Sequence, residues 1–82
     1  MTLEQGVVKI LAFGQIPEIL GGRHHSFELS HEMTVEDIIQ HFGLQEWIDF
    51  GLSVAINGTR VGISAIPCAG DELALLPPVS GG

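Results

Sequence analysis

The sequence predicts a small α+β domain, a mixed β-sheet with one main helix across one face. Three observations lead there. The chain has 82 residues, 45% of them hydrophobic and 16% charged. It is too apolar for disorder and long enough for one small core. Short segments with the apolar patterning of strands lie toward both ends, and one segment between them repeats its apolar residues at helical spacing.

Met1 to Gln5 reads as a frayed leader. Val7-Val8-Lys9-Ile10-Leu11-Ala12-Phe13 is an apolar run of strand length with Lys9 as its polar exception, which predicts a central strand covered at least partly on both faces. Gly14, Pro17, Gly21 and Gly22 then mark a loop, held down by Ile16, Ile19 and Leu20. His25 to Ser30 alternates, with Phe27 and Leu29 inward and Ser26, Glu28 and Ser30 outward, as an antiparallel partner of the first strand would.

Thr34 is placed to cap a helix, with Glu36 and Asp37 in its first turn, where the helix dipole favours acids. Val35, Ile38, Ile39 and Phe42 form its apolar stripe. Gly43 is the expected left-handed C-cap, and Leu44 the apolar residue that follows it. Leu44, Trp47 and Ile48 predict a second short helix ending near Gly51. Ser53 to Ile56 is a strand, Asn57-Gly58 a type I′ turn and Thr59 to Val61 the returning strand. Ile63 to Ala69 is irregular, Gly70-Asp71 a turn, and Glu72 to Leu76 the last strand, ended by Pro77-Pro78. The expected core is Ile10, Phe27, Leu29, Val35, Ile38, Ile39, Phe42, Val54, Ile56, Leu73 and Leu75.

Charge and composition exclude several functions. Three Lys+Arg against ten Asp+Glu give a net charge of −7. Such a chain repels nucleic acid and anionic membranes and suits a basic partner. One cysteine excludes a disulfide framework and a multi-cysteine zinc site. No signal peptide or membrane span is read, so the expected location is the cytoplasm. No nucleophile–base pair, phosphate loop or metal set is visible, so the chain is not expected to be an enzyme alone.

The informative segment is the end. Residues 1–77 read as the domain and 78–82 as an extended tail. Two prolines project Val79-Ser80-Gly81-Gly82 away from the last strand. Five residues reach at most about 17 Å. A Gly-Gly end is thin and adopts almost any backbone angle, so it can thread a narrow channel and present a carboxylate.

Gly70-Asp71-Glu72-Leu73-Ala74-Leu75-Leu76-Pro77-Pro78-Val79-Ser80-Gly81-Gly82 resembles the closing signature of the ubiquitin-like sulfur carriers, and among them the small subunits of molybdopterin synthase. Lys9 to Gly14, Glu18 to Gly21 and Ala55-Ile56-Asn57 are similar to them too, so the likeness covers nearly all of residues 8–82. Two places differ from the common pattern, one in the first loop and one near the end of the last strand. Pro17 stands where a basic residue is frequent, and Leu75 and Leu76 where aromatic residues are.

The resemblance implies a β-grasp fold and a definite chemistry. An adenylyltransferase of the ubiquitin-activating type adenylates the Gly82 carboxylate with ATP, and sulfur then replaces one oxygen to give a thiocarboxylate. The tail (Val79, Ser80 and Gly81) enters the large subunit of molybdopterin synthase, in an assembly of two small and two large subunits. There the sulfur passes to a cyclic pyranopterin phosphate. Leu76, Pro77 and Pro78 are the implied contacts at the tail's base. No cofactor is implied beyond the modification of Gly82. Two further readings stay open: a sulfur carrier for another pathway such as thiazole synthesis, and a modifier conjugated through Gly82 to lysines of target proteins.

Other residues read as structural. Adjacent strand residues point to opposite faces, so His24 and His25 are poorly placed to share a metal ion; His31 and His41 lie farther along. Cys68 lacks a basic neighbour in sequence, Trp47 continues an apolar stripe, and Glu36, Asp37, Glu46 and Asp49 make a solvated acidic face. Leu76 is expected to face outward beside Pro77 and Val79, an apolar patch where a partner can sit.

Overall fold

A computed structural model describes residues 6–29 and 31–78. In order they form β1 (Gly6–Ala12), α1 (Ile16–Leu20), β2 (His24–Leu29), α2 (Val35–His41), α3 (Gln45–Asp49), β3 (Ser53–Ile56), β4 (Thr59–Val61) and β5 (Glu72–Leu76). The five strands make one mixed sheet in the order β2-β1-β5-β3-β4. β1 pairs antiparallel with β2 and parallel with β5. β5 in turn pairs antiparallel with β3, which pairs antiparallel with β4. The last strand in sequence is therefore the middle strand in space. The expected leader, 1–5, and Ser30 lie outside the described residues.

α2 explains itself locally. The Thr34 hydroxyl accepts from the Asp37 N–H at 3.1 Å, and the Thr34 N–H donates to the Asp37 carboxylate at 3.0 Å, a reciprocal capping box. The irregular segment after β4 completes the cap, because the Val35 and Glu36 N–H groups donate to the Ala65 and Ile63 carbonyls. Every N–H of the first turn thus has a partner. At the other end Gly43 takes a φ of 76°. The Gly43 N–H donates to Gln40 O and the Leu44 N–H to Ile39 O, which is the Schellman pattern. Leu44 is buried behind it.

Val35, Ile38 and Ile39 of α2 pack on Val8, Ile10, Ala12, Phe27, Val54, Leu73 and Leu75 from the sheet's inner face, with Ile16, Leu44 and Leu52 closing the margins. Leu29, Phe42 and Ile56 are only half-buried against this core, so it is centred differently from the expected one. Val8, Ala12, Ile16, Leu44 and Leu52 are buried members that patterning left out of it, and Ala55 is buried on the opposite face of the sheet.

Two further expectations are corrected. β1 is central but not covered on both faces: Val8, Ile10 and Ala12 are buried, whereas Val7 and Lys9 are exposed and Leu11 half-buried. The helices supply one layer, on one side. The segment after β1 is a five-residue helix rather than a loop. Pro17 lies in its first turn, where a missing N–H costs nothing, and Gly21 ends it with φ 84°. Ile16 is buried and Leu20 packs on the core, but Ile19 points to solvent, 53% exposed.

The hairpin turn also locks the middle strand. Asn57 and Gly58 take φ of 53° and 85°, as a type I′ turn requires. The Asn57 side chain then donates to the Asp71 carboxylate and accepts from the Glu72 N–H, both at 2.9 Å. Asp71 also accepts from the Cys68 N–H at 2.8 Å. The start of β5 is thereby pinned to the β3–β4 turn.

Ile38 is almost fully buried, so Ile38→Ala is expected to destabilise by about 2–5 kcal/mol out of a total of order 5–15. Chemical denaturation measures it; a loss below about 0.5 kcal/mol would show that the stripe is not core. Thr34→Ala is expected to cost about 1 kcal/mol and Thr34→Ser much less, since Ser restores the accepting hydroxyl. Equal losses in the two variants would remove the capping account.

Candidate functional site

The site is built on β5. Leu73 and Leu75 turn into the core, and Ala74 and Leu76 turn to the other face, half-buried, as the alternation predicts. Pairing fixes this strand to its end: the Phe13 N–H donates to the Leu75 carbonyl at 3.1 Å, and Leu76 stands opposite Ser53 of β3. Pro77 follows half-buried and Pro78 exposed.

Both prolines meet glycines. A Cβ placed on Gly14 would stand 2.5 Å from Pro77 Cγ, closer than real atoms approach, and Gly14 has a φ of 65°. Only a residue without a side chain fits both the angle and the approach. On the other side a Cβ on Gly51, whose φ is 105°, would rest 3.6 Å from Pro78 Cβ. The base of the tail therefore leaves the sheet between the turn after β1 and the turn after α3. Val79, Ser80, Gly81 and Gly82, the residues with the implied chemistry, lie outside the described residues.

Around this base the outer face of the sheet forms an apolar strip. Leu11, Ala74 and Ala55 are cross-strand neighbours on β1, β5 and β3, and Leu76 lies farther along β5. Arg60, opposite Ala55 on β4, reaches back so that its guanidinium donates to the Ser53 hydroxyl at 2.9 Å. A cation thus lies beside Leu76 on a chain that is otherwise strongly acidic. Phe13, one residue past β1, is exposed next to the glycine that seats Pro77. The sequence alone singles out Leu76, Pro77 and Pro78. It leaves out Leu11, Phe13, Gly14, Gly51, Ala55 and Arg60, because their relation to the tail exists only through strand order.

The remaining candidates take structural positions. His24 and His25 point to opposite faces, as expected. His25 Nε2 lies 2.9 Å from the Gly22 carbonyl, and His41 sets its ring edge-on to Phe27 at 4.7 Å. Among the described residues no group of three or more His, Cys, Asp or Glu side chains could hold a metal ion. Cys68 is exposed and free. Glu36, Asp37, Glu46 and Asp49 are all exposed, with Asp37 held in the capping box. Trp47 packs against the core. No helix among the described residues is long and apolar enough to cross a membrane.

Comparison with known proteins agrees with this architecture. The chain is 35% identical to the molybdopterin synthase sulfur carrier subunit of Escherichia coli, over 93% of this chain and all of that one. It is 32% identical to small archaeal modifier protein 1 of Haloferax volcanii, over 85% and 94% of the two chains. The crystal structure of that archaeal modifier superposes with a TM-score of 0.74, covering 94% of this chain and 100% of the other at 30% identity. A complex of subunits 1 and 2 of the molybdopterin-converting factor from Helicobacter pylori contains a chain that superposes with a TM-score of 0.58 at 28% identity, over 93% of this chain and 99% of that one. These neighbours share the ubiquitin-like β-grasp fold. The model of the ThiS family matches residues 10–82, and this chain, with its mixed sheet and its tail rooted on the middle strand, is a member of that sulfur-carrier family.

Proposed function

We propose that this chain is the sulfur-carrying subunit of molybdopterin synthase, acting through the carboxyl group of Gly82. The observation that carries the proposal is the tail's root. Its strand is the middle strand of the sheet, and Pro77-Pro78 is seated on Gly14 and Gly51, so the tail starts from a fixed point. The identity to the Escherichia coli sulfur carrier subunit over nearly the whole chain supports the pathway.

The chemistry follows from what a carboxylate lacks. It is a poor electrophile, so an adenylyltransferase of the ubiquitin-activating type joins it to the α-phosphate of ATP and releases pyrophosphate. A sulfide equivalent attacks the acyl carbon, AMP leaves with the C–O bond, and a thiocarboxylate remains. That sulfur is a strong nucleophile at neutral pH. Inserted into the large subunit, it is delivered to the cyclic pyranopterin phosphate, and the groups that move protons belong to the partner. This chain supplies a thin tail, a rigid root and a docking face, in an assembly of two small and two large subunits.

A second reading is favoured by one observation, the 32% identity to an archaeal modifier protein. In that reading the activated Gly82 is joined to a lysine amine of a target rather than to sulfur. A thiazole-pathway carrier is a third, with Pro77-Pro78 speaking against it.

Removal of Gly82, or replacement of Gly81 by a bulky residue, is expected to abolish ATP-dependent adenylation and leave the melting curve nearly unchanged, because the packed core ends at the root of the tail. Normal adenylation of the truncated chain would remove the central claim. Leu76→Asp is expected to raise the off-rate from the large subunit by about tenfold or more, since it sets a carboxylate against an apolar contact. Added salt is expected to slow association more than it speeds dissociation, because exposed charges are screened beyond about 8–10 Å. Stopped-flow kinetics with the purified large subunit reads both. If Leu76→Asp binds normally and salt acts mainly on dissociation, the outer sheet face is not the docking face.

A further inference from the structure

Among the described residues Phe50 is the most exposed of the large apolar side chains, at 62%. Its side chain does little for the fold. α3 ends through backbone, the Phe50 N–H donating to the Trp47 carbonyl at 3.1 Å and the Gly51 N–H to the Ile48 carbonyl, also at 3.1 Å. The ring stands edge-on to Trp47, with centroids 5.8 Å apart, and Trp47 itself packs on the core. A single exposed apolar residue means little alone. Its place gives it meaning here. The next residue, Gly51, is the one against which Pro78 lies. Phe50 therefore sits beside the root of the tail, on the helix-bearing side of the sheet, whereas Leu76 faces the other side.

The surroundings specify what would cover it. Glu46 and Asp49 are exposed on the same short helix, which has no basic residue in its last turn. An aromatic ring backed by a half-buried Trp and flanked by carboxylates fits an apolar pocket with a basic rim. We infer that Phe50, with Trp47 behind it and Glu46 and Asp49 beside it, is a second docking surface for the large subunit that receives the tail. That subunit then holds the tail's root from two sides: an apolar strip with Arg60 on the sheet face, and an aromatic knob with an acidic rim on α3. The inference rests on the function proposed above. The large subunit, rather than the adenylyltransferase, is the occupant because a subunit that stays bound during sulfur transfer gains most from a second anchor. Fully desolvated aromatic anchors are where interfaces concentrate their affinity.

The test uses the full chain and the purified large subunit of the same organism, read by surface-based binding kinetics. Phe50→Ser is expected to weaken binding about tenfold or more through a faster off-rate, and Phe50→Leu to retain most of the affinity. Ile66→Ser, at another exposed apolar residue, beside the start of α2, is the control and is expected to bind as wild type. Replacing Glu46 and Asp49 by Gln and Asn is expected to slow association. Amide hydrogen exchange of wild type adds a measurement free of substitutions: residues 45–51 become protected in the complex. Equal binding by wild type and Phe50→Ser, with no protection at 45–51, overturns the inference and leaves the proposed function standing. An effect of Phe50→Ser on the KM for adenylation alone overturns it as well, by moving the surface to the adenylyltransferase. Failure of the wild-type chain to bind the large subunit at all removes the function proposed above and this surface with it.

Discussion

A strand in the middle of a sheet cannot shift without breaking the ladders on both its sides. β5 holds that position here, parallel to β1 and antiparallel to β3. Its inner residues Leu73 and Leu75 lie in the core, and its start is tied to the hairpin turn through Asn57 and Asp71. The middle strand of the sheet is thus the one that ends at Pro77-Pro78. The function proposed for the chain would use such a fixed root, because play at Pro77-Pro78 would add to the search that a reactive C-terminus makes for its partner's site. The seating of Pro77 on Gly14 and of Pro78 beside Gly51 extends the constraint beyond the last pairing.

The division of the sheet into two faces follows from its single helical layer. α2 and the segments around it fill one side with aliphatic side chains, and no polar or charged residue is buried among the described residues. The other side is left with Leu11, Ala55, Ala74 and Leu76 around Arg60, a surface small enough to stay in water and apolar enough to be worth covering. This face also carries Lys9, Glu28 and Glu72 toward the other end of the same strands, so part of the −7 charge lies on it and the rest elsewhere on the chain. Charge serves encounter and apolar contact serves residence, so a carrier can be met quickly by a basic partner and held by something else.

Much of this was legible in the sequence where the signal is local. The Thr34 N-cap, the Gly43 C-cap, the Asn57-Gly58 turn and the alternation of β5 depend on neighbours within a few residues, and each took its expected form, with Asp37 adding the reciprocal bond of a capping box. What depends on strand order was not legible. β1 reads as covered on both faces because Val7, Leu11 and Phe13 are apolar. Their outward side is in fact open, with Val7 and Phe13 exposed and Leu11 half-buried, and apolar residues on an uncovered face look like core in a sequence. The helix α1 was hidden by Pro17 and its flanking glycines, which mark a loop and a helix boundary alike. In the site, the tail and its prolines stand out in sequence, but Gly14, Gly51 and Arg60 belong to it only once β1, α3 and β4 are brought to its root.

The most direct test of the carrier account is the chemical state of Gly82 in the cell. The chain, isolated by a tag placed away from its C-terminus and digested, is to be read by mass spectrometry of its C-terminal peptide, beside the identity of whatever co-purifies. The account predicts a C-terminal peptide with one oxygen replaced by sulfur, and a larger subunit that co-purifies with the chain. A Gly82 found only as an isopeptide to lysines of other proteins, or only as a free carboxylate in cells that are making the cofactor, would contradict it.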